Sequence, residues 1–213
     1  MAACFALTPS APADENGRLI PPAVVGLAPS DIEEFEEYSE PVRELLEKAL
    51  ELTRQNLGYR FGSSDPALGG MDCSGTIFYL LRDVGLSDVP RSSEEIYKWV
   101  LKEGTLQPVN ARSLESRSFD SLRPGDLLFW TGTYSAGGRN VVTHVMIYLG
   151  RAKADGLPLM VGSSDGRTYR GKKCFGVSVF DFRLPKEESR SRFVGFAKIP
   201  GLEEAGLSNT SLP

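Results

Sequence analysis

The order of hydrophobic patterns along the chain restricts the fold more than any other feature of the sequence. Apolar residues recur at helical spacing in the first half. The second half instead contains short runs rich in Val, Ile and aromatic residues. These runs are 126–130, 143–149, 158–164, 177–184 and 193–199. Helices followed by consecutive strands predict an α+β domain, in which N-terminal helices pack on an antiparallel meander of about five strands.

Three helices are predicted in the first half of the chain. The first begins after Ser39, which can cap it, and the second begins at Cys73. The third begins after Ser92, because Ser92 and Glu95 have the spacing of a capping box. The segment 103–122 is polar and gives no assignment.

Composition narrows the classes of function that the chain can have. The 213 residues carry a net charge of −4 and a pI of about 5.2, which does not predict a basic nucleic-acid surface. No stretch approaches the roughly 18 apolar residues that span a membrane. One histidine, His144, and three cysteines, Cys4, Cys73 and Cys174, are present. A metal site built on several histidines is therefore excluded, and no metal or cofactor is expected.

The N-terminus carries a pattern that indicates export. Residues 1–7 are apolar, 8–13 are small or proline, and Ala11-Pro12-Ala13 has the form of a cleavage site. A lipoprotein signal with Cys4 as the modified residue is an alternative, as is a disordered tail. Export would place the protein in the periplasm or elsewhere in the cell envelope.

Cys73 and His144 are the candidate nucleophile and base. Cys73 follows a glycine-containing loop at a predicted helix start, where free N–H groups and the helix dipole favour the thiolate. The alternative is a buried structural cysteine. A histidine at a strand start is more often structural, but His144 is the one imidazole in the chain that could partner a thiolate.

Five ordered segments resemble the NlpC-type cell-wall peptidases. They are Tyr59-x-Phe61-Gly62, Asp72-Cys73-Ser74-Gly75, Pro90-Arg91-Ser92-Ser93, Arg123-Pro124-Gly125-Asp126-Leu127-Leu128-Phe129 and His144-Val145-x-Ile147-Tyr148-Leu149-Gly150. The resemblance implies a papain-like fold with circularly permuted elements. It assigns 39–199 to an NlpC-type catalytic domain, preceded by a signal remnant and extended segment in 1–38 and followed by a flexible tail in 200–213.

The resemblance also implies an activity. Members of the family cleave peptidoglycan stem peptides, often between γ-D-glutamyl and diaminopimelate residues. Cys73 would attack the carbonyl of that bond, and His144 would take the thiol proton and later protonate the leaving amine. The expected partners are therefore peptidoglycan stem peptides.

Four further residues match substrate-binding positions of the family. Asp72 would receive the free amine of the stem peptide's first alanine, with the hydroxyls of Ser74 and Ser93 nearby and Tyr59 beside the nucleophile. Each has a structural alternative: Asp72 could favour the helix dipole, Tyr59 could belong to the core, and Ser93 could simply open a helix.

One position departs from the family pattern. The family usually places a third polar residue, often histidine, on the strand after the base, and here that position falls on Gly162. Ser164 shares the strand face and is predicted to orient the His144 ring. Ser163, Asp165 and a backbone carbonyl are alternatives. Two other functions stay open: an amidase or other acyl hydrolase on the same fold, and a wall-binding module that has lost turnover.

Overall fold

The computed structural model describes residues 17–135 and 141–203, and over these ranges the chain forms three α-helices and eleven strands. The helices are α1 (Glu40–Arg54), α2 (Cys73–Asp83) and α3 (Ser93–Lys102). The strands are β1 (Leu19–Ile20), β2 (Gly58–Arg60), β3 (Gly70–Met71), β4 (Leu106–Pro108), β5 (Leu127–Thr131), β6 (Val142–Arg151), β7 (Pro158–Ser164), β8 (Thr168–Tyr169), β9 (Lys172–Lys173), β10 (Gly176–Asp181) and β11 (Arg192–Ala197). The predicted signal remnant with Cys4, and residues 204–213 of the predicted tail, lie outside the described residues.

Local sequence accounts for the helix starts. Ser39 is the N-cap residue of α1, but its side chain makes no capping hydrogen bond within the described residues, so the predicted cap is wrong. Pro41 is tolerated in the first turn because the N–H that it lacks would have no partner in the helix, and the apolar face of α1 buries Leu45, Leu46 and Ala49. At α3 the capping box forms as predicted, with Ser92 accepting from the backbone N–H of Glu95. Over the described ranges, no helix combines the length and the hydropathy needed to cross a bilayer.

The main sheet contains six strands among the described residues, in the order β10-β7-β6-β5-β11-β4, and every pair is antiparallel. The predicted α+β class is confirmed. The five-stranded meander is not, because β11 returns to the other side of β5 and the short strand β4 joins it. β4 lies in the polar segment that sequence patterns left unassigned. The papain-like permutation stays a prediction.

Strand β6 has buried residues on both faces. Val145 and Leu149 belong to the cluster that the apolar residues of α1, α2 and α3 complete, whereas Met146 and Tyr148 belong to a second cluster. Because side chains alternate along a strand, His144 lies on the same face as Met146 and Tyr148. The backbone of β6 thus separates Met146 and Tyr148 from the helices, and the Cys73 sulfur at the start of α2 meets that backbone next to His144, at the carbonyl of Thr143.

A smaller sheet leads the chain into α2. Strand β2 pairs with β1 in antiparallel fashion and with β3 in parallel fashion, so that Tyr59 lies beside Met71. Cys73 follows β3 after a single residue, Asp72. Helix α2 then packs against β6 and β7. The start of α2 is therefore held between the small sheet and the main sheet.

Candidate active site

The start of α2 is held by hydrogen bonds to one carboxylate. Asp72 is the N-cap residue, and its carboxylate accepts from the backbone N–H of Gly75 at 2.5 Å and of Gly62 at 2.7 Å. A side chain at position 75 would collide with the carbonyl oxygen of Ser63, so only glycine allows this close approach. Cys73 is the first residue of the helix, and its position depends on these contacts.

The Asp72 carboxylate is also engaged by a cation. Arg91 donates from Nη1 and Nη2 to its two oxygens, at 3.2 and 3.1 Å, and from Nη1 to the hydroxyl of Ser74 at 3.1 Å. The Ser74 hydroxyl donates to Asp72 in turn. Two backbone N–H groups and one guanidinium thus donate hydrogen bonds to the Asp72 carboxylate. These contacts fit the structural alternative for Asp72, and its predicted contact with a substrate amine stays a prediction.

The Cys73 thiol is buried and protonated. Its sulfur lies 4.0 Å from the carbonyl oxygen of Thr143 on β6. Burial, followed by the negative charge of Asp72, raises the pKa of the thiol to about 12, although backbone hydrogen bonds from Val145 and Ser74 lower it. The expectation that the helix start favours a resting thiolate is therefore wrong, because desolvation and a neighbouring carboxylate outweigh the N–H groups.

The His144 ring is held by a residue that sequence reasoning did not single out. Arg167, in the turn after β7, donates from Nε to Nε2 of the ring at 3.1 Å. Its guanidinium lies 4.1 Å from the centre of the Trp130 ring, which itself contacts His144 edge-on. Burial, and then the charge of Arg167, hold the pKa of His144 well below its usual range. The imidazole is consequently neutral at rest.

The structure shows Arg167, and not Ser164, as a partner of the His144 ring. Ser164 is buried at the end of β7, while the partner of the His144 ring is Arg167, a donor rather than the expected acceptor. Ser163 is not the partner of the His144 ring in this structure either, because its hydroxyl donates to the carbonyl of Met71 at 2.6 Å. A part for Ser164 in orienting the ring stays a prediction.

Gly162 lacks the side chain of the family pattern for a visible reason. A Cβ atom at this position would come within 2.9 Å of the sulfur of Met146. Met146 therefore fills the space beside the His144 face that a polar residue at 162 would need. A side chain at 162 would therefore require the end of the Met146 side chain to move.

The other predicted residues surround the same place. Tyr59 is buried, and the pKa of its hydroxyl lies above its usual range because of burial and then the nearby Cys73 and Asp165. Ser93 donates to the carbonyl of Val142 at 3.0 Å, which ties the start of α3 to the start of β6. The structure thus brings Tyr59 to the nucleophile and shows Ser93 in a structural contact.

Two arginines complete the site, and the sequence carried a signal for one of them. Arg91 lies inside a motif segment, Pro90-Arg91-Ser92-Ser93, although only its serine was assigned a role. Arg167 had no motif, because its contacts are with residues more than twenty positions away. Over the described residues, no group of three His, Cys, Asp or Glu side chains could hold a metal ion.

Cavity size does not locate this site. Two surface cavities, of about 400 and 290 Å³, are lined by residues outside it. One lies between the N-terminal segment and the turn at Ala152 to Ala154, and the other lies between α1 and the Arg123 turn. The candidate site is instead located by its reactive side chains, Cys73 and His144, where α2 contacts β6.

A cysteine at a helix start, packed on a strand that carries a histidine, is the arrangement of cysteine-dependent hydrolases. Residues 56–160 match the family model described as "NlpC/P60 family". Residues 56–160 thus carry an NlpC/P60 family domain, which confirms the resemblance seen in the sequence.

Parts of three curated proteins are similar to this chain. The chain is 29% identical over 114 residues to "Murein DD-endopeptidase MepH" of Escherichia coli (strain K12), covering 53% of this chain and 36% of that protein. It is 29% identical over 136 residues to "Gamma-DL-glutamyl hydrolase" of Bacillus subtilis (strain 168), covering 61% and 28%. "Probable endopeptidase YafL" of Escherichia coli (strain K12) is 30% identical over 114 residues, covering 53% and 39%. The chain thus matches about a third of the length of these relatives.

One solved structure resembles the chain. It is described as similar to a lipoprotein of the NLP/P60 family from Staphylococcus aureus subsp. aureus Mu50. The TM-score is 0.49 and the identity 23%, with 76% of this chain and 42% of that chain covered.

Proposed function

We propose that this protein is a cysteine endopeptidase that hydrolyses peptidoglycan stem peptides at the γ-D-glutamyl–diaminopimelate bond. The observation that carries the proposal is the Cys73 sulfur at the start of α2, against the β6 backbone beside His144. Family membership and the names of the relatives, which include murein endopeptidases and a glutamyl hydrolase, support the substrate class. Such a substrate requires export to the cell envelope.

The reaction begins from a neutral pair. Because the thiol is protonated and the ring uncharged at rest, Cys73 loses its proton to His144 as its sulfur attacks the carbonyl carbon. The backbone N–H of Cys73 at the helix start stabilises the oxyanion. The C–N bond then breaks, His144 returns the proton to the leaving amine, and water hydrolyses the thioester to release a carboxylic acid and the thiol.

The ring needs an acceptor once it is protonated. An imidazolium donates from both nitrogens, and a hydroxyl such as that of Ser164 is a suitable neutral acceptor. Ser164→Ala should then lower kcat about tenfold, while His144→Ala should cost far more. If Ser164→Ala changes nothing and Asp165→Asn is severely impaired, the role belongs to Asp165.

Substrate recognition is proposed for the residues beside the nucleophile. Tyr59 lies next to Cys73, and Ser74 contacts the N-cap residue Asp72. The Asp72 carboxylate would bind the free amine of the first alanine once Arg91 gives up one of its hydrogen bonds to that carboxylate. Ser93 would contribute through the start of α3. N-acetylation of L-Ala-γ-D-Glu-diaminopimelate should then weaken its cleavage, and Asp72→Asn should produce a similar loss.

A second candidate is a wall-binding module without turnover. The contact of Arg167 with the His144 ring favours it, because that contact occupies the nitrogen that would take a proton. Incubation of the free tripeptide with the wild-type protein and with Cys73→Ala distinguishes the two. The endopeptidase releases diaminopimelate only in the wild type, whereas a binding module retains the tripeptide uncut in both.

A further inference from the structure

Among the described residues, no carboxylate forms an ion pair or a hydrogen bond with Arg167. Its Nε donates to His144 and one face of its guanidinium stacks on Trp130, but within the described residues its Nη1 and Nη2 atoms form no ion pair or hydrogen bond. Arg91 also lies near Cys73, because it donates from both terminal nitrogens to the carboxylate of Asp72, the residue that precedes Cys73. The two arginines therefore differ in what balances their charge.

The acidic groups near Arg167 form no ion pair with it within the described residues. Cys73 is protonated, and Tyr59, whose pKa is raised, is uncharged. Asp165 interacts with Arg167 through its charge, but burial raises the pKa of that carboxyl and no ion pair joins the two within the described residues. Loss of water is the main reason that the pKa of Arg167 falls to about 10. A desolvated cation of this kind is costly unless an anion compensates it.

The contact with His144 and the function of His144 exclude each other. Nε2 can accept from Arg167 only through its lone pair, so the neutral ring carries its proton on Nδ1. An imidazolium has an N–H at both positions and cannot accept from a guanidinium. Arg167 must therefore leave Nε2 whenever the ring holds the proton from Cys73.

We propose that Arg167 binds a carboxylate of the substrate beside the reacting carbonyl, and that its transfer from the His144 ring to this carboxylate frees the ring to take the Cys73 proton. This inference rests on the proposed function and names its substrate feature. A γ-linked glutamyl residue carries a free α-carboxylate on the same short carbon chain that ends at the scissile carbonyl. A guanidinium binds such a group through two parallel hydrogen bonds.

The proposal predicts discrimination between an acid and its amide. Two tripeptides are compared, L-Ala-γ-D-Glu-diaminopimelate and the same peptide with the glutamyl α-carboxylate amidated. Both are titrated into Cys73→Ala, so that binding is measured without turnover. We expect the acid to bind at least about tenfold more tightly, which corresponds to about 1.4 kcal/mol. Adding Arg167→Gln should remove most of that difference.

The single histidine of the chain provides a second readout. In protein labelled with ¹⁵N-histidine, only His144 gives ring signals, so its tautomer and pKa need no assignment. The proton should reside on Nδ1 in the free protein. Binding of the acid should raise the pKa of His144, because the carboxylate neutralises Arg167 and draws it from the ring. The amide should leave the pKa nearly unchanged.

A neighbouring arginine serves as the control. Arg170 lies three residues after Arg167 in the sequence and forms an ion pair with Asp155 at 2.8 Å. The structure shows its guanidinium beside the ring of Tyr169 and not beside that of His144. Arg170→Gln removes the same charge, yet it should keep the preference for the acid. Equal loss in Arg170→Gln and Arg167→Gln would mean that only the general field of the protein matters, and would overturn the proposal.

The remaining outcomes separate this inference from the proposed function. Equal affinity for acid and amide in Cys73→Ala overturns the inference, as does failure of both peptides to bind. These comparisons need no Arg167 variant, so a variant that fails to fold leaves the test intact. If the acid is preferred and shifts His144, but the wild type never cleaves it, the inference stands and the endopeptidase proposal fails.

Discussion

The chemistry of Cys73 is set by what surrounds its sulfur. A helix start alone would favour the thiolate, but here the sulfur is buried and Asp72, the residue that caps the helix, adds a negative charge beside it. His144 is equally buried and has a guanidinium on its ring. Each neighbour disfavours the ionised form, so a thiol and a neutral imidazole are the stable pair until substrate changes the surroundings.

Alkylation of Cys73 tests this assignment at the residue scale. Because its pKa is raised to about 12, the rate of reaction with iodoacetamide should rise about tenfold per pH unit from about pH 7 to 10. Peptide mass analysis resolves Cys73 from Cys174, which is also a buried free thiol and serves as the internal reference. A rate that levels off below about pH 9 would instead indicate a stabilised thiolate.

At the scale of elements, the start of α2 depends on one glycine. A Cβ atom on Gly75 would overlap the carbonyl of Ser63 and crowd the Asp72 carboxylate. Gly75→Ala should lower the free energy of unfolding by about 2 kcal/mol or more, in spite of the better helix propensity of alanine. Urea unfolding measures the change.

Gly166→Ala is the matched control for that substitution. No atom lies within 4 Å of the Cβ position of Gly166, so the same chemical change meets open space there. It should alter stability by less than about 0.5 kcal/mol. If the two variants lost similar stability, the close approach at Gly75 would not be what holds the helix start.

Elements formed by local patterns were predictable, and those that depend on distant pairing were not. The capping box of α3 and the short apolar runs of β5, β6 and β7 lie within short windows of sequence. The return of β11 to β5, and the recruitment of β4 by β11, depend on pairing between strands far apart in sequence. Sequence periodicity carries no information on such neighbours.

The site divides in the same way. The positions of Cys73 and His144 followed from motif segments, whereas the contact of Arg167 with the ring arises because a turn after β7 lies over Trp130 of β5. The glycine at the usual position of the third residue also has a packing context, since the sulfur of Met146 occupies the space beside Gly162. Both facts are properties of side-chain packing across strands.

At the scale of the whole molecule, His144 links stability to pH. Burial and the charge of Arg167 lower its pKa, so the unfolded chain binds a proton near pH 6.5 that the folded protein does not. The stabilisation that this difference provides is fully present above about pH 6.5 and is lost as the pH falls toward the folded pKa. The slope is at most about 1.4 kcal/mol per pH unit.

His144→Gln isolates this contribution. Urea unfolding of both proteins between about pH 7.5 and 5.5 should show a steeper loss of stability in the wild type. Burial raises the pKa of Asp126 to about 6, so its titration changes stability in the same pH range but in the opposite direction. Because Asp126 is present in both proteins, its contribution cancels in the comparison. Parallel curves would show that His144 titrates normally in the folded state.

The proposed cleavage of peptidoglycan by Cys73 can be tested directly on the wall polymer. Purified peptidoglycan, with its stem peptides free or released by an amidase, is incubated with the wild-type protein and with Cys73→Ala, and the soluble products are analysed by mass. We expect fragments that end in a γ-D-glutamyl carboxylate, together with fragments that begin with the newly freed diaminopimelate amine, in the wild type only. No cleavage by the wild type, or equal cleavage by Cys73→Ala, would contradict the proposal.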